Sequence, residues 1–71
     1  MRYTVILEQG EGGWGAHVPD LPGCVAAGES RAEVLALIQE AVEIHIEGLK
    51  ERNLPVPEAR SEGEIVEVGA A

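Results

Sequence analysis

The feature that most constrains this chain is a long amphipathic segment that begins at Ser30. Ser30 and Glu33 have the spacing of a capping box, in which a hydroxyl and a carboxylate each satisfy a backbone N–H at the start of a helix. Apolar residues then recur at helical spacing to about Arg52. Asn53 suits the left-handed position after a helix, and two nearby prolines prevent the helix from resuming. The pattern predicts a helix that takes up almost a third of the chain.

The predicted helix has an acidic side and an unusually broad apolar side. The acidic side is made of Glu33, Glu40, Glu43, Glu47 and Glu51. The apolar side spans roughly 200°, which is wider than packing on one sheet requires. It consists of Val34, Leu35, Leu37, Ile38, Ala41, Val42, Ile44, Ile46 and Leu49. We therefore expect a homo-oligomer, a dimer or a tetramer, with one flank of the helix in the interface: Leu35, Val42, Ile46 and Leu49.

Shorter elements are predicted on both sides of the helix. Alternating apolar residues indicate strands over Arg2–Glu8 and Trp14–Val18, joined by a glycine-rich turn, and a third strand over Cys24–Ala27. The two prolines of Pro19–Gly23 predict a rigid loop. Glu64–Val68 (EIVEV) is short and β-branched and predicts a final strand, whose pairing within the subunit or across to another is left open. The fold class is α+β, in the order β-β-β-α-β, as a single domain over residues 1–71.

Charge and composition exclude several classes of function. The formal net charge is −8, from 13 acidic and 5 basic side chains, so the chain repels phosphate backbones and attracts basic surfaces. We expect no direct nucleic-acid binding. There is no apolar run long enough to span a bilayer and no leader-like N-terminus, which predicts a cytoplasmic protein. A single cysteine excludes an internal disulfide, so a core this small would gain most from association with another chain.

Several short motifs, in one order and spacing, resemble the HicB-type antitoxin family. They are Tyr3-x-Val5-x-Leu7, Gly13-Trp14, the heptapeptide VPDLPGC at Val18–Cys24, Gly28-Glu29-Ser30, Glu33 and Glu40-Ala41. The resemblance covers roughly residues 3 to 57. It implies a partial ribonuclease-H-like fold that is not a nuclease, and a role in masking a small basic ribonuclease toxin of the HicA type. Many relatives carry an additional DNA-binding domain; we expect none here, so operator binding stays open.

The resemblance and the charge together suggest which residues meet a partner. The predicted contacts are Asp20, Leu21 and Pro22 in the loop and Glu33, Glu40, Glu43 and Glu47 on the helix, with an edge of the second strand adding shape. For Asp20 a second interpretation has equal weight, a carboxylate that caps its own turn. Trp14 alternates with Ala16 and Val18, which favours a place in the core over an exposed anchor.

Catalytic and metal-binding alternatives find little support in the sequence. His17, Cys24 and His45 match no zinc spacing, so no metal or other cofactor is expected. Converging strand carboxylates for a two-metal nuclease are lacking, since the strands supply only Glu8, Glu64 and Glu67. No catalytic residue is predicted. Two rivals to the antitoxin interpretation remain: an oligomeric regulatory or assembly module without a toxin, and a residual metal-dependent nuclease.

Overall fold

The computed structural model describes residues 1–69, and these contain three strands and one helix. The strands are β1 (Ile6–Gly10), β2 (Gly13–His17) and β3 (Val25–Gly28), and the helix is α1 (Arg31–Glu51). The strands form one antiparallel sheet in the order β1-β2-β3. The predicted α+β class, with three antiparallel strands followed by one long helix, is confirmed. The relation to ribonuclease H stays a prediction.

β1 and β2 form a tight hairpin whose register runs from Ile6 opposite His17 to Gly10 opposite Gly13. The two residues of the turn include Gly12, whose φ of 84° lies in the left-handed region that glycine adopts without steric cost. β1 starts later than the predicted Arg2, because β2 ends opposite Ile6 and residues 1–5 have no strand beside them in the ladder.

The loop between β2 and β3 is closed by its own backbone. The Leu21 N–H donates to the Val18 carbonyl at 3.1 Å, and the Cys24 N–H donates to the Leu21 carbonyl at 3.0 Å. The Val18 N–H also donates to the Cys24 carbonyl at 3.1 Å, so the loop returns the chain directly into β3. β2 therefore lies between two strands. The expectation that β2 offers a free edge was wrong, since both of its sides are paired.

The core lies between the sheet and the helix. α1 packs on β2 and β3, and the buried set is Ala16, Val18, Leu21, Cys24, Val34 and Ile38. The residues that surround this core and are partly buried include Tyr3, Val5, Leu7 and Trp14. The predicted alternation of the first strand is thus confirmed. Trp14 packs against the core and is partly buried, so it lies at the border of the core and is not a fully exposed anchor.

Both ends of the helix carry the predicted caps. The Ser30 hydroxyl accepts a hydrogen bond from the Glu33 N–H at 3.1 Å, and the Glu33 carboxylate accepts one from the Glu29 N–H at 3.2 Å. At the other end Asn53 has a φ of 55°. The Leu54 N–H donates to the Leu49 carbonyl at 2.9 Å, which completes a Schellman motif. The helix is therefore stopped by hydrogen bonds before the prolines are reached.

The predicted final strand over Glu64–Val68 does not form in the described chain. A strand requires a ladder partner, and the segment leaves the body of the molecule without meeting one. The chain before it is attached at two points: the Tyr3 hydroxyl donates to the Pro57 carbonyl and the Thr4 hydroxyl donates to the Ser61 carbonyl, each at 2.6 Å. We call residues 64–68 the C-terminal tail.

Candidate functional site

One long side of α1 is an exposed acidic surface. Its five predicted glutamates, Glu33, Glu40, Glu43, Glu47 and Glu51, are all solvent-exposed. The helix holds them in one direction because they recur at helical spacing, so their charges add at a partner that approaches from that side. Glu33 also has a structural duty, since its carboxylate accepts the Glu29 N–H at the cap. The other four are free of such hydrogen bonds within residues 1–69.

Asp20 has a role that neither interpretation of the sequence anticipated. Its Oδ2 accepts hydrogen bonds from the Arg60 N–H at 2.9 Å and the Ser61 N–H at 2.8 Å, while its Oδ1 accepts from the Ser61 hydroxyl at 2.9 Å. The Ser61 N–H first, and then the Arg60 N–H, hold the pKa of the Asp20 carboxyl below its ordinary value. Asp20 therefore caps a segment some forty residues away, not its own turn.

The remaining two predicted loop contacts, Leu21 and Pro22, differ in their exposure to solvent. Leu21 is completely buried in the core, so in this conformation it has no side chain to offer a partner. Pro22 lies exposed at the tip of the loop. Pro19, Pro22 and Val25 border a shallow depression of about 500 Å³ that also includes His17 and Glu8. This open sheet face and the loop tip form a second surface, in addition to the acidic side of the helix.

The predicted oligomer flank is only partly free. Leu35 is exposed, whereas Val42 and Ile46 pack partly on the core and Leu49 is half-buried. A groove of about 320 Å³ follows the free part, between the N-terminal segment and the helix. It is lined by Met1, Tyr3, Val5, Leu35, Ile38 and Val42, with Gln39 and Glu43 at its polar side.

The attachment of the chain after the helix was missed by the sequence interpretation. Asp20, Tyr3 and Thr4 all hold residues 57–61, through backbone carbonyls and N–H groups. Backbone groups carry no sequence signature, and the partners are separated by 40 residues or more. The one usable signal is that an aspartate between two prolines has few partners nearby, which leaves it free to accept distant donors.

The three residues considered as soft ligands do not come together. Cys24 is buried, and desolvation raises the pKa of its thiol, which disfavours the reactive thiolate. His17 lies half-buried on β2 and His45 half-buried on α1. Among the described residues no group of three or more His, Cys, Asp or Glu side chains is placed to hold a metal ion. Within residues 1–69 no helix has the length and apolar character to cross a membrane.

Comparison with known proteins identifies the family. Residues 3–68 match the family described as the HicB-like antitoxin of bacterial toxin–antitoxin systems. A UPF0150 protein of Thermoplasma acidophilum is 41% identical over 63 residues, which cover 87% of this chain and 91% of that protein. A UPF0150 protein of Synechocystis is 42% identical over 57 residues, covering 79% of this chain and 72% of the relative.

A longer relative carries a functional name. The protein named Antitoxin HicB 2 of Photorhabdus laumondii is 37% identical over an alignment that covers all of this chain and 52% of the relative. The chain thus spans about half the length of that antitoxin and most of the length of the UPF0150 proteins. On this match across nearly its whole length, the chain belongs to the HicB-like antitoxin family.

Proposed function

We propose that the chain is an antitoxin module that neutralises a small basic ribonuclease toxin of the HicA type by covering its RNA-binding or catalytic face. The mechanism is occlusion, so the chain itself performs no catalysis. The proposal places it in the cytoplasm, where such a toxin would meet its RNA. Its main support is the family match together with a relative that is named an antitoxin.

The observation that carries the proposal is the exposed acidic side of α1. A ribonuclease binds a polyanion, so its RNA-binding surface is basic, and a rigid row of carboxylates is complementary to such a surface. Glu40, Glu43 and Glu47 lie exposed on successive turns, which directs their charges at one partner. Long-range attraction of this kind raises the association rate more than it raises the final affinity.

In this proposal the loop tip adds shape complementarity to the charge complementarity of the helix. Three backbone hydrogen bonds close the loop, and Pro22 is exposed at its tip. Because the loop is already ordered, it loses little conformational entropy when a partner binds it. Asp20 belongs to the proposal only indirectly, as the group that holds residues 60 and 61 beside the loop.

A titration with a purified small basic ribonuclease of the HicA type tests the proposal. We expect a stoichiometric complex whose association rate falls as salt is raised, since exposed charges are screened within a Debye length of about 8 Å at physiological ionic strength. The triple variant Glu40→Gln/Glu43→Gln/Glu47→Gln should weaken binding about tenfold at low salt and lose most of the salt dependence.

A matched control removes the same charge elsewhere. Glu11, Glu64 and Glu67 are exposed and lie outside the helix and the loop, so the triple variant Glu11→Gln/Glu64→Gln/Glu67→Gln should bind as the original chain does. Equal weakening by both variants would show a general charge effect and would overturn the proposed surface. Cleavage of RNA by the chain alone with Mg²⁺ would overturn the occlusion mechanism.

The second candidate function is an oligomeric regulatory or assembly module with no toxin. The observation that favours it is the apolar surface left exposed by Leu35, Ile44 and the C-terminal tail, which suits permanent association. Isolation of the chain from its native cells separates the two candidates: a stoichiometric basic companion supports the antitoxin role, and a pure homo-oligomer supports the second.

A further inference from the structure

The C-terminal tail is the most apolar surface that the described chain leaves uncovered. Ile65 is 93% exposed, Val66 is 74% exposed and Val68 is 83% exposed. Segments that stay unpaired in water are usually polar and rich in charge, as residues 58–63 are here, whereas β-branched residues favour strands. A tail of this composition is expected to join a sheet.

The shape of the molecule agrees with a projecting tail. The radius of gyration is 14.2 Å, compared with about 11 Å expected for a compact domain of this length. The longest dimension is 52 Å, whereas a 21-residue helix is only about 32 Å long. The chain therefore extends well beyond the body that its own helix and sheet define.

The outer edge of β1 could accept the tail as an additional strand. This strand pairs only with β2, so in the described residues its outer edge has no ladder partner. The groove lined by Tyr3, Val5, Leu35 and Val42 runs between the helix and the N-terminal segment that leads into this edge. Exposed edges of this kind are common sites for the addition of a strand from another chain.

We propose that two copies of this chain exchange their C-terminal tails, each tail adding as a strand along the β1 side of its partner. In a strand, Val66 and Val68 point to the same side and Ile65 to the other. Val66 and Val68 would enter the partner's groove. The inference concerns self-association alone and does not depend on whether a toxin is bound.

The exposure of the tail in the single chain points to a second copy as the occupant, and the place where the tail begins fits such an exchange. Tyr3 and Thr4 hold Pro57 and Ser61 beside the start of β1, so each tail departs close to the edge that its partner's tail would occupy. Seven residues separate Ser61 from Val68 and can span about 23 Å when extended. One twofold axis therefore makes both exchanges at once, in the self-complementary manner of symmetric dimers.

The net charge of the chain predicts how salt should affect the exchange of tails. Two copies that each carry −8 repel one another, so screening by salt should strengthen the dimer. The response is opposite to that expected for a basic toxin, whose binding salt should weaken. Failure of the dimer and failure of the proposed function are thus distinguishable in one salt series.

The test combines sedimentation with amide hydrogen exchange on the full chain, in salt that shortens the Debye length from about 30 Å to about 3 Å. We expect a concentration-dependent dimer that tightens with salt and protects the amides of residues 64–68. A monomer with these amides protected would show that the tail closes on its own sheet and would overturn the proposal. An oligomer with unprotected tail amides would overturn it as well.

Paired variants locate the interface. Val66→Thr/Val68→Thr keeps β-branched side chains but removes apolar burial, and it should raise the dimer dissociation constant by tenfold to about a hundredfold. The double variant Ile65→Pro/Val66→Pro should abolish the dimer, because alternate N–H groups face the ladder and one of two adjacent prolines must interrupt it. The control Leu37→Thr changes an exposed apolar residue outside the groove and should leave the dimer intact. Loss of the dimer in Leu37→Thr, or an undisturbed dimer in Ile65→Pro/Val66→Pro, would contradict strand exchange.

Discussion

The region from Ile6 to Glu51 and the region from Arg52 to residue 69 differ in the interactions that hold them in place. The first region holds all the strands and the helix of the described residues and contributes the whole buried core. The second has no regular structure up to residue 69 and is held by hydrogen bonds in which Tyr3 and Thr4 donate and Asp20 accepts. One chain can thus combine a region whose strands and helix are paired and packed within the chain with a segment whose conformation depends on a partner.

The physical basis of the difference is where the partners lie. The hairpin, the loop and the helix caps find their hydrogen-bond partners at most eleven residues away, so local sequence decides them. The C-terminal tail has strong β-propensity but no strand next to it. Its β-branched residues allow the tail to form a strand, but a strand forms only where a neighbouring strand can pair with it.

The largest expected contrast comes from truncating one isoleucine in each region. Ile38 is 1% exposed, so Ile38→Ala should lower the free energy of unfolding by about 2–5 kcal/mol through lost burial and a residual cavity. Ile65→Ala, in dilute solution where the chain is monomeric, should change it by no more than about 0.5 kcal/mol. Urea unfolding of both variants measures the difference, and similar losses would contradict the division into two regions.

A glycine pair sharpens the description of the hairpin. A Cβ at Gly13 would lie 2.5 Å from the Gly28 carbonyl oxygen of β3, so Gly13→Ala must displace a strand and should cost about 1–3 kcal/mol. A Cβ at Gly10 would meet nothing within 4 Å, so Gly10→Ala, on the opposite strand of the hairpin, serves as the control. Thermal unfolding that ranks Gly10→Ala as the more damaging change would contradict the strand packing.

Substitution of the helix cap residue Ser30 should have a smaller effect on the stability of the fold. Ser30→Ala removes the acceptor for the Glu33 N–H and should destabilise the fold by about 1 kcal/mol. Ser30→Gly should cost only a few tenths of a kcal/mol relative to serine, because glycine leaves the N-terminal groups open to water. Denaturant melts of the three proteins test the order serine, glycine, alanine, and an alanine variant as stable as the original would contradict the cap.

Much of the fold was accessible from sequence because the signals are local. Ser30 and Asn53 bracket the helix, and the glycines before Trp14 define the hairpin turn. The candidate surfaces were harder. The acidic side of the helix follows from spacing, but the burial of Leu21 depends on the loop folding back on Val18 and Cys24, which no pattern encodes.

The smallest expected effect is local and depends on pH. Because hydrogen bonds lower the pKa of Asp20 in the folded chain, the unfolded chain binds the proton more readily. The contribution of this carboxylate is therefore complete above its unfolded pKa of about 3.9 and is lost as pH falls through the lower folded value. The amide resonances of Arg60 and Ser61 should titrate with a midpoint below 3.9 and become insensitive in Asp20→Asn. A midpoint at or above the ordinary value would contradict the attachment of the second region to the first.

The proposal that this chain acts by covering a partner and performs no chemistry is tested most directly by a cleavage assay with a small basic ribonuclease of the HicA type. RNA is incubated with a fixed amount of the ribonuclease while this chain is added. If the chain covers the ribonuclease, cleavage should fall in proportion to the chain added and stop near equimolar amounts. Cleavage that continues undiminished in the presence of excess chain would contradict it.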